Sequence, residues 1–241
     1  MSGHSKWAQI KRQKAVADKK RGNLFTKLGN AITVAAKQGG KDPDSNFKLR
    51  IAIEKAKSAN IPNENIERAI KRGGGELEGV TIEEVIYEGF GPAGIALIIE
   101  ATTDNKNRTT SSLRSILTKH QGNLGSSGSV MWMFDKKGVI RILKNNITNK
   151  DELELKLIDA GAEDIIEEEE GFTIYTKPEE LPQMKKTIET EKIPLASAEI
   201  ELVPKNKIKI ENESTKKKIN QLFEELETND DINNYFTNAD L

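Results

Sequence analysis

The sequence predicts an α+β chain: a small N-terminal three-helix domain followed by two α/β domains, one ferredoxin-like and inserted in the other. Three observations predict it. Apolar residues recur at helical spacing up to the triple glycine Gly73–Gly75 and at alternating spacing beyond it. Residues 138–203 read strand, helix, strand, strand, helix, strand, which is the ferredoxin-like order. After that completed unit come a short KIKI segment and an amphipathic helix, which need the strands before the unit to pack on. The chain, at 241 residues, is also longer than one ordinary core requires.

Residues 1–21 form a basic arm. SKWAQIKRQKAVADKKR carries only Trp7, Ile10 and Val16 as large apolar side chains, and on a helical wheel they make no stripe. The arm has little to bury and is expected to project until a partner orders it. Residues 22–75 form the helical domain. Leu24, Leu28, Ala31 and Ala35 mark its first helix, closed by Gly39–Gly40; Phe47, Ile51 and Ala52 mark the second. Ile66, Ala69 and Ile70 mark the third, with a proline near its start and Gly73–Gly75 at its end.

The middle domain takes residues 76–135 and 205–241. EEVIYEGF and GIALIIEATT are strands joined by the turn Gly91-Pro92-Ala93-Gly94. DNKNRTTSSLRSILTKHQ is a helix opened by polar capping residues, and SVMWMF is apolar enough for a buried strand. In the inserted domain, 136–204, the strands are GVIRILK, EDIIEEE, GFTIYTK and LASAEIELVP. Its helices are DELELKLIDAG and LPQMKKTIETEK. STKKKINQLFEELET then returns to the middle domain with Ile219, Leu222, Phe223 and Leu226 facing inward.

Composition removes several function classes. There is no cysteine, so no disulfide, thiolate metal site or cysteine nucleophile. No run approaches the roughly 18 apolar residues of a spanning helix, and the charged N-terminus lacks a secretory pattern. A cytoplasmic monomer is expected, with no membrane partner. The net charge of −1 conceals segregation: residues 1–75 hold 17 basic against 6 acidic side chains, and the remainder 20 against 32. A segregated positive field suits a polyanion.

No constellation suggests catalysis, a cofactor, a metal or a small-molecule substrate. His4 and His120 have no partners at ligand spacing. In GSSGS the glycines stand at the wrong offsets for a nucleophile elbow, and GFGPAG leads into a strand rather than a helix N-terminus. The run Glu167–Glu170 reads as a solvated loop or strand edge. The candidate nucleic-acid-binding residues are Lys6, Trp7, Lys11, Arg12, Lys14, Lys19, Lys20 and Arg21 of the arm, with Lys27 just beyond it. Asn105, Asn107 and Arg108 join them, because eight polar residues at a strand–helix junction exceed what capping requires. An elaborate N-cap is the competing account of that segment, and both stay open.

The chain resembles the YebC family. The resemblance lies in GHSKW at 3–7, KRG…FTKL at 20–28 and IPNENIERAIKRG at 61–73. It continues in YEGFGPAG at 87–94, TDNKNRT at 103–109, GNLGSSGSVMWMF at 122–134 and Asn238-Ala239-Asp240 at the close. It implies a three-domain protein acting on gene expression. Family members are labelled DNA-binding transcriptional regulators, a mitochondrial relative activates translation, and bacterial members are linked to relief of ribosome stalling. The arm, flexible and basic with one aromatic, suits structured RNA better than a duplex groove, since no helix-turn-helix is recognisable. The expected function is therefore a non-enzymatic RNA- or ribosome-binding factor assisting translation, with a DNA-binding transcriptional regulator as the alternative.

Overall fold

The computed structural model describes residues 6–7, 21–77, 82–144, 147, 150–191 and 193–241. The chain divides into two compact units, one of residues 11–131 and 211–235, the other of residues 1–10, 132–210 and 236–241.

The first unit opens with three helices: α1 (Arg21–Gly39), α2 (Phe47–Ser58) and α3 (Asn63–Gly73). Their core is Ile32, Ala35, Ala36, Leu49, Ala52, Ala56, Ile61, Ile66 and Ala69. Small side chains dominate it, so the helices approach closely. At Gly73 a Cβ would stand 2.2 Å from the Thr33 carbonyl oxygen, so glycine is required where α3 crosses α1. Gly40 ends α1 with φ +89° and donates its N–H to Ala36 O at 3.0 Å. The buried Asn46 then joins two helices. Its oxygen accepts from Leu49 N at the start of α2, and its amide donates to Ala35 O and Gly40 O.

A sheet follows, built from β1 (Glu83–Phe90), β2 (Ala96–Thr103), β3 (Asn123–Leu124) and β9 (Ile232–Thr237), in the order β3-β1-β2-β9. β1 and β2 are an antiparallel hairpin in register from Glu83 opposite Thr103 to Phe90 opposite Ala96. Its turn forces Ala93 and Gly94 to φ +59° and +72°. β2 is buried on both faces, which explains its run of Leu97, Ile98 and Ile99. α4 (Lys106–Lys119) contributes Leu113, Ile116 and Leu117 to the core. α7 (Glu213–Thr228) contributes Ile219, Leu222, Phe223 and Leu226, and Phe223 stacks on Tyr235 at 4.8 Å. The sheet thus takes strands from both sides of an inserted segment, as the fold class expects.

That segment holds β4 (Phe134–Leu143), α5 (Lys150–Asp159), β5 (Asp164–Glu167), β6 (Gly171–Thr176), α6 (Leu181–Thr190) and β7 (Leu195–Pro204). The antiparallel order β5-β6-β4-β7 is ferredoxin-like. A Cβ at Gly138 would touch Leu181 of α6, so Gly138, Ile140 and Ile142 face the helices. Val139 and Arg141 point to the opposite face with Thr173 and Tyr175. There Arg141 is buried and paired bidentately with Glu201.

Two expectations are corrected. SVMWMF is not a buried strand: Met131–Met133 is a 3-10 turn, Trp132 is 66% exposed, and β4 begins at Phe134. The N–H groups that a strand would need at Val130 and Met131 bond instead to the carboxylate of Glu88. The KIKI segment does not join the middle sheet either. Its β8 (Ile208–Lys209) pairs in parallel with β10 (Ala239–Asp240), and β9 is the strand that returns.

Candidate nucleic-acid interface

Helices α2 and α3 carry their cations outward because their inner faces are committed to the small-residue core. Lys57, Arg68, Lys71 and Arg72 are exposed, and among the described residues none forms an ion pair. Lys41 and Lys48 are different: they pair with Glu76 and Glu84, the latter at 2.9 Å. Lysines of the ferredoxin-like portion are heavily paired, as with Lys150 to Glu167 at 2.7 Å and Lys156 to Glu191 at 2.9 Å. Helices α2 and α3 therefore bear four open cations between them.

The predicted residues distribute unevenly. Lys11, Arg12, Lys14, Lys19 and Lys20 lie outside the described residues. Arg21 is the first residue of α1. Lys27, half-buried on α1, donates to the Glu227 carbonyl at 2.9 Å. Glu227 stands in the last turn of α7, where unpaired carbonyls and the helix dipole attract a cation.

Trp7 is the largest departure from expectation. It is 2% exposed, and its indole N–H donates to Glu168 at 2.5 Å, so its ring is part of the fold rather than offered to a base. Lys6 beside it lies 5.5 Å from the Phe236 ring centroid, a cation–π distance. At this point the arm is anchored to the ferredoxin-like unit, not projecting. The reason was hidden in the acidic run: Glu168 is buried, contrary to the reading of that run as a solvated edge.

At the start of α4 the capping account explains most of the polar segment. Asn105 is the N-cap, its side chain accepting from Arg108 N at 3.1 Å. Arg108 contacts Asp104 at 2.7 Å and Asp231 at 3.0 Å. These carboxylates, Asp231 before Asp104, hold its guanidinium above its ordinary pKa. Thr109 adds a hydroxyl bond to Asp231 at 2.7 Å, fixing α4 to the β9 end of the sheet. The Lys106–Glu83 pair neutralises a further charge, lowering the glutamate and raising the lysine. An open depression lined by Glu83, Thr103, Asp104, Asn105, Lys106 and Asn107 remains, with Asn107 exposed at its rim.

Sequence reasoning missed two residues with structural weight. Glu88 is buried, and its carboxylate accepts three backbone N–H groups: Gly128 at 2.6 Å, Val130 at 2.8 Å and Met131 at 2.8 Å. Burial alone raises its pKa, but the three amides more than reverse this and hold it below the usual carboxylate range. The second is Trp132, 66% exposed just after that clamp. No local signal distinguishes either residue from its neighbours.

Comparison with known proteins places this architecture. Residues 5–76 match the family described as TACO1/YebC protein N-terminal domain, and residues 82–239 match TACO1/YebC second and third domain. The chain belongs to the TACO1/YebC family. A Natranaerobius thermophilus protein named "Probable transcriptional regulatory protein" is 52% identical over 100% of this chain and 97% of its own. One from Persephonella marina with the same name is also 52% identical, over 100% and 96%. A crystal structure titled as a conserved hypothetical protein, Aq1575 from Aquifex aeolicus, superimposes with a TM-score of 0.84. It is 47% identical and covers 93% of this chain and 92% of its own.

The segments that carry the TACO1/YebC resemblance now have physical roles. IPNENIERAIKRG supplies α3, whose terminal Gly73 permits the crossing with α1 and whose polar face bears the open cations. TDNKNRT is the α4 cap, and GNLGSSGSVMWMF is the loop clamped by Glu88. Among the described residues, no group of three or more His, Cys, Asp or Glu side chains could hold a metal ion, and no helix is long and apolar enough to cross a membrane.

Proposed function

We propose that this protein is a non-enzymatic, cytoplasmic RNA- or ribosome-binding regulator of gene expression that assists translation. Its grip on phosphate would come from the N-terminal third. The observation that carries the reading is the asymmetry of charge along the sequence, with open cations on α2 and α3. Residues 1–75 hold 17 basic against 6 acidic side chains, and Lys57, Arg68, Lys71 and Arg72 stand exposed without ion pairs among the described residues. Exposed like charges on neighbouring helices repel one another, and a polyanion removes that cost by counterion release. The arm cations Lys11, Arg12, Lys14, Lys19 and Lys20, with Arg21, extend the same field along the chain. Asn107 at the rim of the α4 depression is a secondary contact in this reading. Trp7 is not a contact but an anchor.

A second reading, a DNA-binding transcriptional regulator, is favoured by the relatives' names. It requires an element that reads base edges. The two are separated by sedimenting the protein with ribosomes at low salt, alongside footprinting on genomic DNA fragments. Co-migration with ribosomes supports the first reading; a reproducible footprint without co-migration establishes the second. Neutralising about six phosphates predicts a log–log salt slope of about −5 on duplex DNA and about −4 on single strands. Replacing Lys57, Arg68, Lys71 and Arg72 together by glutamine shallows that slope, and an unchanged slope removes α2 and α3 from the interface.

A further inference from the structure

We propose that α3 is a base-reading helix, whose Asn65, Arg68 and Arg72 recognise the N7 edges of adenine and guanine. The inference rests on the nucleic-acid reading above and adds to its phosphate contacts a means of telling one base from another.

The three side chains stand together because of the way α3 is buried. Ile66 and Ala69 turn one side of the helix into the core of the three-helix bundle, with Ile70 half-buried beside them. Asn65, Arg68 and Arg72, at spacings of three and four, fall on one flank of the side left over, and all three are exposed. Glu64 and Glu67, which would repel a phosphate chain, fall further round beside Lys71. From Asn65 to Arg72 the helix rises about 10 Å, the height of about three stacked bases.

The helix is also held in place. A four-residue turn, 59–62, joins it to α2, the length that separates the two helices of a helix-turn-helix. Asn60 takes the left-handed position at φ +58°, where glycine is usual, so the sequence alone does not display the motif. Ile61, buried, donates its N–H to Ala56 O at 3.0 Å and ties the turn to the core. Reading a base demands such rigidity, because the side chains must be aimed before the base arrives.

The residue types match the ligand. An arginine fork donates to both O6 and N7 of guanine, and an asparagine amide donates to N7 of adenine while accepting from its N6. Such groups must be unengaged. Arg108 and Arg141 are held by carboxylates, and Arg50 lies 5.4 Å from the Phe47 ring centroid. Arg68 and Arg72 have no ion pair among the described residues. Phosphate affinity needs only charge, which lysine supplies; forked donors beside an amide supply direction as well. Duplex DNA presents these N7 edges in its major groove and unpaired RNA presents them in loops, whereas duplex RNA hides them.

The test offers the full-length protein a randomised duplex DNA pool and a randomised RNA pool, then sequences what it retains after successive rounds. Wild type should enrich a short motif containing guanine and adenine, and replacing its guanine should weaken binding about 5- to 150-fold. Arg68→Lys and Arg72→Lys keep the charge, so they should leave the salt slope unaltered yet lose the guanine preference. Asn65→Ala, which favours the helix, should lose the adenine preference. The pool that yields the motif identifies the source of the bases. If the wild-type preferences survive in all three variants, base reading by α3 is overturned while the nucleic-acid reading stands. Binding to both pools without enrichment of any motif overturns it in the same way. If neither pool is bound, both inferences fail.

Discussion

The indole N–H of Trp7 and the carboxylate of Glu168 meet at 2.5 Å across 161 residues of chain, both side chains buried. The Thr173 hydroxyl donates to the same oxygen at 3.0 Å, while the other, Oε1, finds no hydrogen-bond partner among the described residues. A buried carboxylate with so few donors depends on each of them. Trp7→Phe keeps a ring but removes one donor and should cost about 1–3 kcal/mol. Trp7→Ala also opens a cavity and should cost about 3–5 kcal/mol. Urea unfolding measures both. An unaltered midpoint for Trp7→Ala would mean that the anchor holds nothing. Truncating the arm past this residue should likewise destabilise the ferredoxin-like unit, so charge substitution is the cleaner way to probe the arm.

Glu88 gives a pH dependence of known sign. Its folded pKa is depressed, burial being outweighed by the N–H groups of Gly128, Val130 and Met131. Its contribution is therefore complete above the unfolded value of about 4.3 and is lost as pH falls through the lower folded value. Glu88→Gln puts a donor where an acceptor is needed. It should lose about 1–3 kcal/mol at pH 7 and show a flatter acid limb, the two stability curves converging in acid. Parallel curves from pH 7 to pH 3 would show that this carboxylate does not titrate with unfolding.

What could be read in advance was whatever repeats locally. The α1 to α3 helices follow from apolar spacing and from Gly40 and Gly73, and the ferredoxin-like unit from the succession of its elements. What escaped depends on partners far along the chain. Arg108 looks like a phosphate ligand until Asp231 arrives from 123 residues away. Trp7 looks like a free aromatic until the β5–β6 hairpin brings Glu168 beneath it. SVMWMF has apolar content but no period, and content alone cannot separate a strand from a turn. The deciding group there, Glu88, lies 40 residues upstream of Gly128.

The Arg141–Glu201 pair should show strong coupling. Burial works against the Arg141 charge, but Glu201, at 2.5 Å and 3.0 Å through two parallel bonds, more than restores it. Removing one partner strands the other in the sheet. Arg141→Met or Glu201→Leu alone should each cost about 3–5 kcal/mol, whereas the double replacement should recover much of that loss. A double-mutant cycle by chemical denaturation measures the difference, and additive losses would mean that the two charges are stabilised separately.

Asn46 offers a test confined to the helical domain, because three of its bonds act on two helices at once. Its oxygen caps α2 through Leu49 N at 3.0 Å, and its amide closes α1 through Ala35 O and Gly40 O, each at 2.8 Å. Asn46→Ser keeps a capping oxygen but loses both donations to α1. Asn46→Asp keeps the best cap and turns the α1 contacts repulsive, since a carboxylate would face two carbonyl oxygens. Capping alone would rank aspartate with asparagine and well above alanine. The structure instead predicts that Asp and Ala both lose about 2 kcal/mol, with Ser between them and wild type. Hydrogen exchange at the C-terminal turn of α1 distinguishes the two accounts. Protection there should fall in all three variants, and if it persists in Asn46→Asp, the asparagine serves α2 only.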